Sequence, residues 1–294
     1  MAAIAAVVFA CGTTRTVPIT GRKQNILVSD EQVLSLSNQE YTNYMKSAKL
    51  STNSANTAMV KRVGQRLATA VETYLNEHGM AADAKEYSWE FNLVQDKSVN
   101  AFCMPGGKIV VYEGLLPITQ DEASLAIVLG HEIAHAVAKH SAEQMSKQIK
   151  NQYGTQILGQ VLNAAGVSSS TTQLAQIIAQ KGLQFRSLKY SRDNESEADH
   201  MGLIFAAMAG YDPNVAVTFW QRMAQATGSN NQSDIFSDHP SDAKRIAAIK
   251  QELPEALTYY KPVKTTTTTK KTTTSTKKKT RTTSKKKKTT TRRK

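Results

Sequence analysis

The feature that most constrains this chain is a predicted helix with two histidines, His131 and His135, separated by one helical turn. Side chains four residues apart leave the same helix face, so both imidazoles can reach one zinc ion. Glu132 lies beside them, where it can act as a base on water without being a ligand. Apolar residues recur around the motif at helical spacing: Leu125, Ala126, Leu129, Ile133, Ala134 and Val137. The pattern predicts a zinc site on a buried helix; two ordinary histidines on an amphipathic helix are the alternative.

The start of this helix is predicted at Thr119, because Thr119 and Glu122 have the spacing of a capping box. Gly130 lies inside the helix, where glycine costs about 1 kcal/mol of propensity relative to alanine. We therefore expect Gly130 to allow the close approach of another backbone, either a strand or the substrate.

The third ligand of the predicted zinc site is expected in the acidic segment 191–199, since a catalytic zinc usually has three protein ligands. Glu195 and Asp199 are four residues apart and share a helix face, while Glu197 points roughly opposite. One carboxylate can bind the metal while another orients a ligand histidine. Spacing leaves both Glu195 and Glu197 open as the ligand, and an acidic helix start without metal is the alternative.

Further motifs follow one another in a fixed order between about residues 100 and 250. They are residues 100–109 with 114–116, HEIAH at 131–135, Glu195 with Asp199, residues 209–213, and residues 238–240 with Arg245. On these motifs the chain resembles the HtpX, BepA and CAAX-prenyl-protease group of zinc metallopeptidases, in its soluble lipoprotein branch (Loi-P-like). The resemblance implies that Glu195 binds zinc and that Asp199 supports a ligand from behind.

The fold expected with this resemblance is α+β. It is a mainly helical zincin-type fold with a small β-sheet whose edge strand lines the active-site cleft. The sequence predicts one strand over residues 88–95 and another over residues 108–112. We expect an extended substrate to add as a strand beside Lys108, Ile109, Val110 and Val111.

Two further residues have open roles. His239 precedes Pro240 and matches the group's His-Pro motif, so it could stabilise the oxyanion or occupy zinc's open position and keep the enzyme latent. A loop histidine that caps a helix is the alternative. Cys103 is expected to be a small buried apolar residue, with a redox or metal-capping role as the alternative.

The N-terminal residues resemble a bacterial lipoprotein signal, with residues 1–10 as the signal segment and Cys11 as the lipidated residue. An ordinary secretory signal and a buried N-terminal strand are the alternatives. Residues 11–30 are predicted to be a polar tether, and residues 31–260 a zinc metallopeptidase domain. This organisation places the protein in the bacterial cell envelope, lipid-anchored and facing the periplasm.

The net charge of +13 comes from the last residues of the chain. Residues 261–294 contain fifteen Lys and Arg and no acid, whereas the rest of the chain has 22 basic and 24 acidic residues. This Thr/Lys segment has too few apolar residues to fold and is predicted to be a disordered basic tail. Anionic envelope polymers are its expected partners, rather than any specific nucleic acid.

The predicted function is that of a zinc-dependent endopeptidase that cleaves unfolded or misassembled cell-envelope proteins. One alternative is a holdase or assembly factor with little cleavage, and another is a polyanion-binding envelope protein that uses the basic tail. No run of 18 or more apolar residues occurs, unlike in the integral membrane members of the group.

Overall fold

Helices make up most of the described structure and surround two small sheets. The computed structural model describes residues 13–163, 185–228 and 243–262. The helices are α1 (Asp30–Ser47), α2 (Ser54–Glu77), α3 (Ala81–Ala84), α4 (Leu116–Thr119), α5 (Glu122–Val137), α6 (His140–Asn163), α7 (Arg192–Met208), α8 (Val215–Gly228) and α9 (Ala243–Thr258). The strands are β1 (Thr13–Thr16), β2 (Lys23–Ile26), β3 (Glu90–Val94), β4 (Ala101–Met104) and β5 (Lys108–Tyr112). Single 3-10 turns occur at Glu113–Leu115 and Phe185–Ser187. The prediction of a mainly helical α+β fold is confirmed.

The larger sheet has the strand order β3-β5-β4, with β5 parallel to β3 and antiparallel to β4. The central strand is therefore β5, and all its residues are buried. We expected a substrate strand to pair with Lys108, Ile109, Val110 and Val111. That prediction is wrong, because the backbone groups of these residues already pair with β3 and β4.

Two apolar clusters pack against opposite faces of this sheet. Ile109 and Val111 of β5 join the cluster formed with α2, α5 and α7. Val110 and Tyr112 alternate with them and join the cluster formed with α1, α6 and β2. The period-2 alternation of a strand therefore places α5 on one side of the sheet and α6 on the other.

The N-terminal segment folds as a β-hairpin. Strands β1 and β2 pair antiparallel, with Thr13 opposite Ile26. Val17, Ile26 and Val28 are buried, and the side-chain amide of Gln24 donates to the carbonyl of Ala138 at 3.0 Å. The prediction of a polar tether over residues 11–30 is therefore wrong for residues 13–30, since these apolar residues pack into the domain.

Helix α5 runs through the centre of the fold, and every residue from Ser124 to Val137 is buried. It begins after Asp121, whose carboxylate accepts from the Ser124 backbone N–H at 2.7 Å. The predicted start at Thr119 is wrong: Thr119 ends α4, and Gln120 interrupts the helical path with a φ of 65°. Across the three described ranges, we find no helix with the length and apolar character needed to cross a bilayer.

Candidate metal centre

The structure brings His131, His135 and Glu195 together, as the sequence predicted. The Nε2 atoms of the two histidines are 3.1 Å apart. The Glu195 carboxylate lies 3.5 Å from each Nε2, with Oε2 nearest His131 and Oε1 nearest His135. All three side chains are buried. Three potential ligand atoms thus converge on one point from two helices.

These distances fit a tetrahedral zinc site. Ligand atoms about 2.0–2.2 Å from a zinc ion and separated by a tetrahedral angle are roughly 3.4 Å from one another. The observed separations of 3.1–3.5 Å match that value. Two imidazoles and one carboxylate are also a donor set that zinc accepts in catalytic sites, with a fourth position left for water. His131, His135 and Glu195 are therefore the residues that would hold the ion.

A close crossing of α5 and α7 brings the ligands within this distance. A Cβ atom on Gly130 would lie 2.6 Å from the carbonyl oxygen of Gly202, and a Cβ on Gly202 would lie 2.7 Å from the backbone nitrogen of His131. Only glycine permits this approach at both positions. The expected close approach at Gly130 thus occurs, but its partner is helix α7 rather than a strand or substrate.

An acid and an arginine hold His131 from behind. Its Nδ1–H donates to Asp199 Oδ1 at 2.9 Å, as the resemblance implied for Asp199. Arg245 binds both oxygens of Asp199, each at 2.7 Å, and its guanidinium lies 3.6 Å from the ring centre of Trp220. In the sequence, Arg245 is recognisable only as part of a motif; in the structure it lies beside the ligands.

The charges around His131 oppose the effect of its burial. Burial lowers the pKa of His131, but the hydrogen bonds to Asp199 and Glu195 outweigh it and raise that pKa to about 9. Burial raises the pKa of Asp199, whereas Arg245 and His131 lower it below its usual value. Asp199 is therefore a carboxylate that accepts from the ligand histidine.

His135 has a different partner, His140, which lies five residues further along the chain. Helix α5 ends at Val137, and His140 begins α6 after Lys139, which has a φ of 52°. The turn brings His140 Nδ1 to 2.8 Å from His135 Nδ1. His140 is thus not a ligand but a direct neighbour of one, and helical periodicity could not show this because the helix is interrupted.

Glu197, the other carboxylate that spacing left open, supports His140 instead of joining the ligands. Its Oε2 lies 2.9 Å from His140 Nε2 and 2.8 Å from Arg22 Nε. Burial raises the pKa of Glu197, but the hydrogen bonds from His140, Arg22 and Thr20 lower it to about 2. Burial likewise lowers the pKa of His140, against the opposing effect of Glu197. Of the two acids, Glu195 is the one that lies with the ligand histidines.

Glu132, the expected base, is buried between the two ligand histidines on α5. Burial raises the pKa values of Cys103 and Tyr190, and the charge of Glu132 raises both further. Tyr190 stacks on the His135 ring with 4.1 Å between ring centres. Cys103 is buried on β4, where a small apolar residue was expected.

Three expectations concern residues outside the described ranges. They are the roles of His239, the lipidation of Cys11 and the basic tail over residues 261–294, of which the structure describes only Lys261 and Pro262.

Most of this chain is similar in sequence to known proteins. The sequence profile described as Peptidase family M48 matches residues 54–253. The mitochondrial metalloendopeptidase OMA1 of Schizosaccharomyces pombe is 41% identical over 172 residues, which are 58% of this chain and 48% of that protein. The human metalloendopeptidase OMA1 is 31% identical over 244 residues, which are 82% of this chain and 46% of that protein.

A bacterial protein also matches. The Beta-barrel assembly-enhancing protease of Escherichia coli K12 is 29% identical over 186 residues, which are 59% of this chain and 37% of that protein. The matches to these relatives therefore span about half of their length or less. Because the profile covers more than half of this chain and includes His131, His135 and Glu195, the chain belongs to peptidase family M48.

Proposed function

We propose that the protein is a zinc-dependent endopeptidase whose substrates are unfolded or misassembled cell-envelope proteins. The observation that supports it most is the convergence of His131, His135 and Glu195 at tetrahedral spacing, with Glu132 on the same helix as the two histidines. The printed names of the relatives, metalloendopeptidase and protease, support the same reaction class.

In this proposal the reaction is hydrolysis of a peptide bond. A bound zinc would polarise the scissile carbonyl and lower the pKa of a coordinated water to about 7. The Glu132 carboxylate accepts a proton from the attacking water and delivers it to the nitrogen of the leaving amine, a role worth about 10²–10⁴ in rate. Asp199 holds the His131 ring in the orientation in which its Nε2 would face a bound ion.

We propose that an extended substrate binds beside β4, since β5 is already paired on both sides. Strand β4 is the outer strand that contacts α5. Because Tyr112 donates to the Asn100 carbonyl, alternation turns the backbone groups of Phe102 toward β5 and those of Ala101 and Cys103 away from it. All four β4 residues are buried, so pairing with a substrate requires their present cover to move.

A proline scan of β4 tests this position. Cys103→Pro removes an outward N–H and should raise KM several-fold while leaving the zinc dissociation constant unchanged. Phe102→Pro is the matched control, because it removes an N–H bonded to β5 and should mainly lower stability. A Cys103→Pro variant with unchanged KM would exclude pairing along β4.

The reaction itself is tested with Glu132→Gln. The variant should bind about one zinc per chain, as the wild type does, and lose hydrolysis of casein by about 10²-fold or more. Glu122→Gln, at the half-buried start of the same helix, is the control and should retain activity. A protein that binds zinc but never cleaves, and whose Glu132→Gln variant still complements a deletion, would instead be a holdase.

The proposed location is the bacterial envelope, with a lipid anchor at Cys11 and the domain in the periplasm. The apolar segment before Cys11 supports it, as does the similarity to a bacterial protease named for beta-barrel assembly. The OMA1 relatives, in contrast, are mitochondrial by name. Mass spectrometry of the membrane fraction should find a lipid-modified Cys11, and an unmodified mature N-terminus would contradict the anchor.

The basic residues 261–294 are proposed to bind anionic envelope polymers. Fifteen positive charges without a compensating acid support this, since such binding depends on charge and weakens with salt. Removal of the tail should abolish salt-sensitive binding to lipopolysaccharide while zinc content and hydrolysis stay the same. Loss of hydrolysis would show that the tail belongs to the enzyme domain.

A further inference from the structure

We propose that His140, Glu197 and Arg22 form a positioning chain that holds the metal ligand His135. The N-terminal hairpin carries Arg22 and is therefore part of the metal centre. The inference rests on the proposed metal-dependent function. It adds residues to the site that lie on three separate segments: the hairpin, the start of α6 and the first turns of α7.

The two Nδ1 atoms of His135 and His140 can form a hydrogen bond only if one of them carries a proton and the other does not. A histidine that binds a metal through Nε2 carries its proton on Nδ1. His135 Nδ1–H therefore donates to His140 Nδ1 across 2.8 Å. His140 then carries its own proton on Nε2, which donates to Glu197 Oε2 across 2.9 Å. In both hydrogen bonds the donor is the residue nearer the metal site. The orientation of the His135 ring therefore depends on the Glu197 carboxylate at the far end of the positioning chain.

Arg22 fixes that carboxylate. Its Nε and Nη2 lie 2.8 and 2.7 Å from Glu197 Oε2. The same guanidinium binds both oxygens of Glu143 on α6, at 3.0 and 2.8 Å. One arginine thus joins α6, which begins with His140, to α7, which carries Glu197 and Glu195. A planar guanidinium suits this bridge, since it offers several N–H donors in fixed directions.

The hairpin holds Arg22 in place. The Val17 backbone N–H donates to the Arg22 carbonyl at 2.8 Å and closes the turn. Two residues beyond Arg22, the Gln24 amide binds the Ala138 carbonyl at the end of α5. Further along, the Leu27 N–H donates to Ser146 Oγ on α6. The hairpin is therefore attached to the same turn that separates His135 from His140.

The experiment measures the zinc dissociation constant by competition with a chromophoric chelator, using the full chain. Arg22→Met should weaken zinc binding by about tenfold, since loss of an outer partner of a ligand typically costs 10–100-fold. Arg15→Met is the matched control. Arg15 lies on the same hairpin but pairs with Asp30 and Asp83, which take no part in the positioning chain. It should bind zinc within roughly twofold of the wild type. Equal zinc affinities for the two variants would overturn the proposal.

Substitutions at His140 provide a second test that distinguishes positioning from packing. His140→Leu should weaken zinc binding by about 10–100-fold. In His140→Gln, an amide oxygen can accept from His135 and an amide N–H can donate to Glu197, so most of that affinity should return. The melting temperature of each metal-free variant reports packing separately. If His140→Leu binds zinc as the wild type does, or if His140→Gln is no better than His140→Leu, the positioning chain is wrong.

The same data separate this inference from the proposed function. A wild type that binds zinc tightly but cleaves no peptide would contradict the endopeptidase, while the affinities of the variants would still decide the positioning chain.

Discussion

At the scale of single residues, the two ligand histidines lie at the same distance from Glu195 but have different partners on their other ring nitrogen. His131 rests on a carboxylate directly, whereas His135 reaches one through a second imidazole. The ligands themselves could be predicted, because helical spacing is a local property of the sequence. His140 could not, because its contact depends on a turn that ends α5, and Arg22 lies more than a hundred residues away in the chain.

The different roles of the two neighbouring acids give a prediction. Glu195→Gln should remove most bound zinc after dialysis, because it deletes one of three ligands. Glu197→Gln should still bind one zinc per chain at saturating metal, with a weaker dissociation constant, since its amide oxygen can still accept from His140. Metal analysis and chelator competition measure the two quantities, and equal loss of zinc content in both variants would refute this assignment.

At the scale of elements, the contact that brings the metal ligands together is between the helices α5 and α7 and not within the sheet. The sequence indicated that a backbone approaches Gly130, but glycine by itself does not identify the neighbour. The partner, Gly202, lies in a helix that the sequence showed as an acidic start followed by apolar residues. The order of the strands could not be predicted from the sequence either. A buried strand has the same apolar pattern at the centre of a sheet and at a covered edge. For that reason β5 was mistaken for the substrate-binding strand.

The helix contact predicts that a substitution which forces α5 and α7 apart weakens metal binding as well as stability. Gly202→Ala places a methyl group 2.7 Å from the His131 backbone nitrogen, so α5 and α7 must move apart. Zinc affinity should fall by at least about tenfold together with stability. Gly64→Ala is the matched control, since its methyl group would meet the Phe91 ring in a contact between α2 and β3. The control should lower the melting temperature and leave zinc affinity intact; a Gly202→Ala variant with normal affinity would contradict the prediction.

At the scale of the whole molecule, the mainly helical α+β fold was implied by the family resemblance, and apolar periodicity predicted directly the helix that carries His131 and His135. The N-terminal hairpin was missed because its strands have four residues each and few apolar side chains. Its attachment depends on ion pairs and hydrogen bonds to distant helices, and no short sequence window contains both partners.

The ion pairs of the hairpin predict a pH dependence of stability. Burial raises the pKa of Glu143, but Arg22 and Lys147 lower it to about 2, below the usual 4.5. The resulting stabilisation, on the order of 2–3 kcal/mol, is present above pH 4.5 and is lost as the pH falls through about 2. Urea unfolding of the metal-free protein should show Glu143→Gln less stable than the wild type at pH 7, with roughly half or less of that difference left at pH 3. The exposed Glu31→Gln is the control, and a pH-independent difference would exclude this mechanism.

The position of Arg22 also affects how the catalytic unit of such proteins is delimited. The region shared with peptidase family M48 begins at residue 54, well after the hairpin. A transplant of that region alone would carry His131, His135 and Glu195, the three residues that would hold the metal, and would still lack the guanidinium of Arg22. When relatives are compared, an arginine upstream of the shared region is therefore as informative as the residues inside it, and chimeric enzymes joined at residue 54 would need a compatible partner for Glu197.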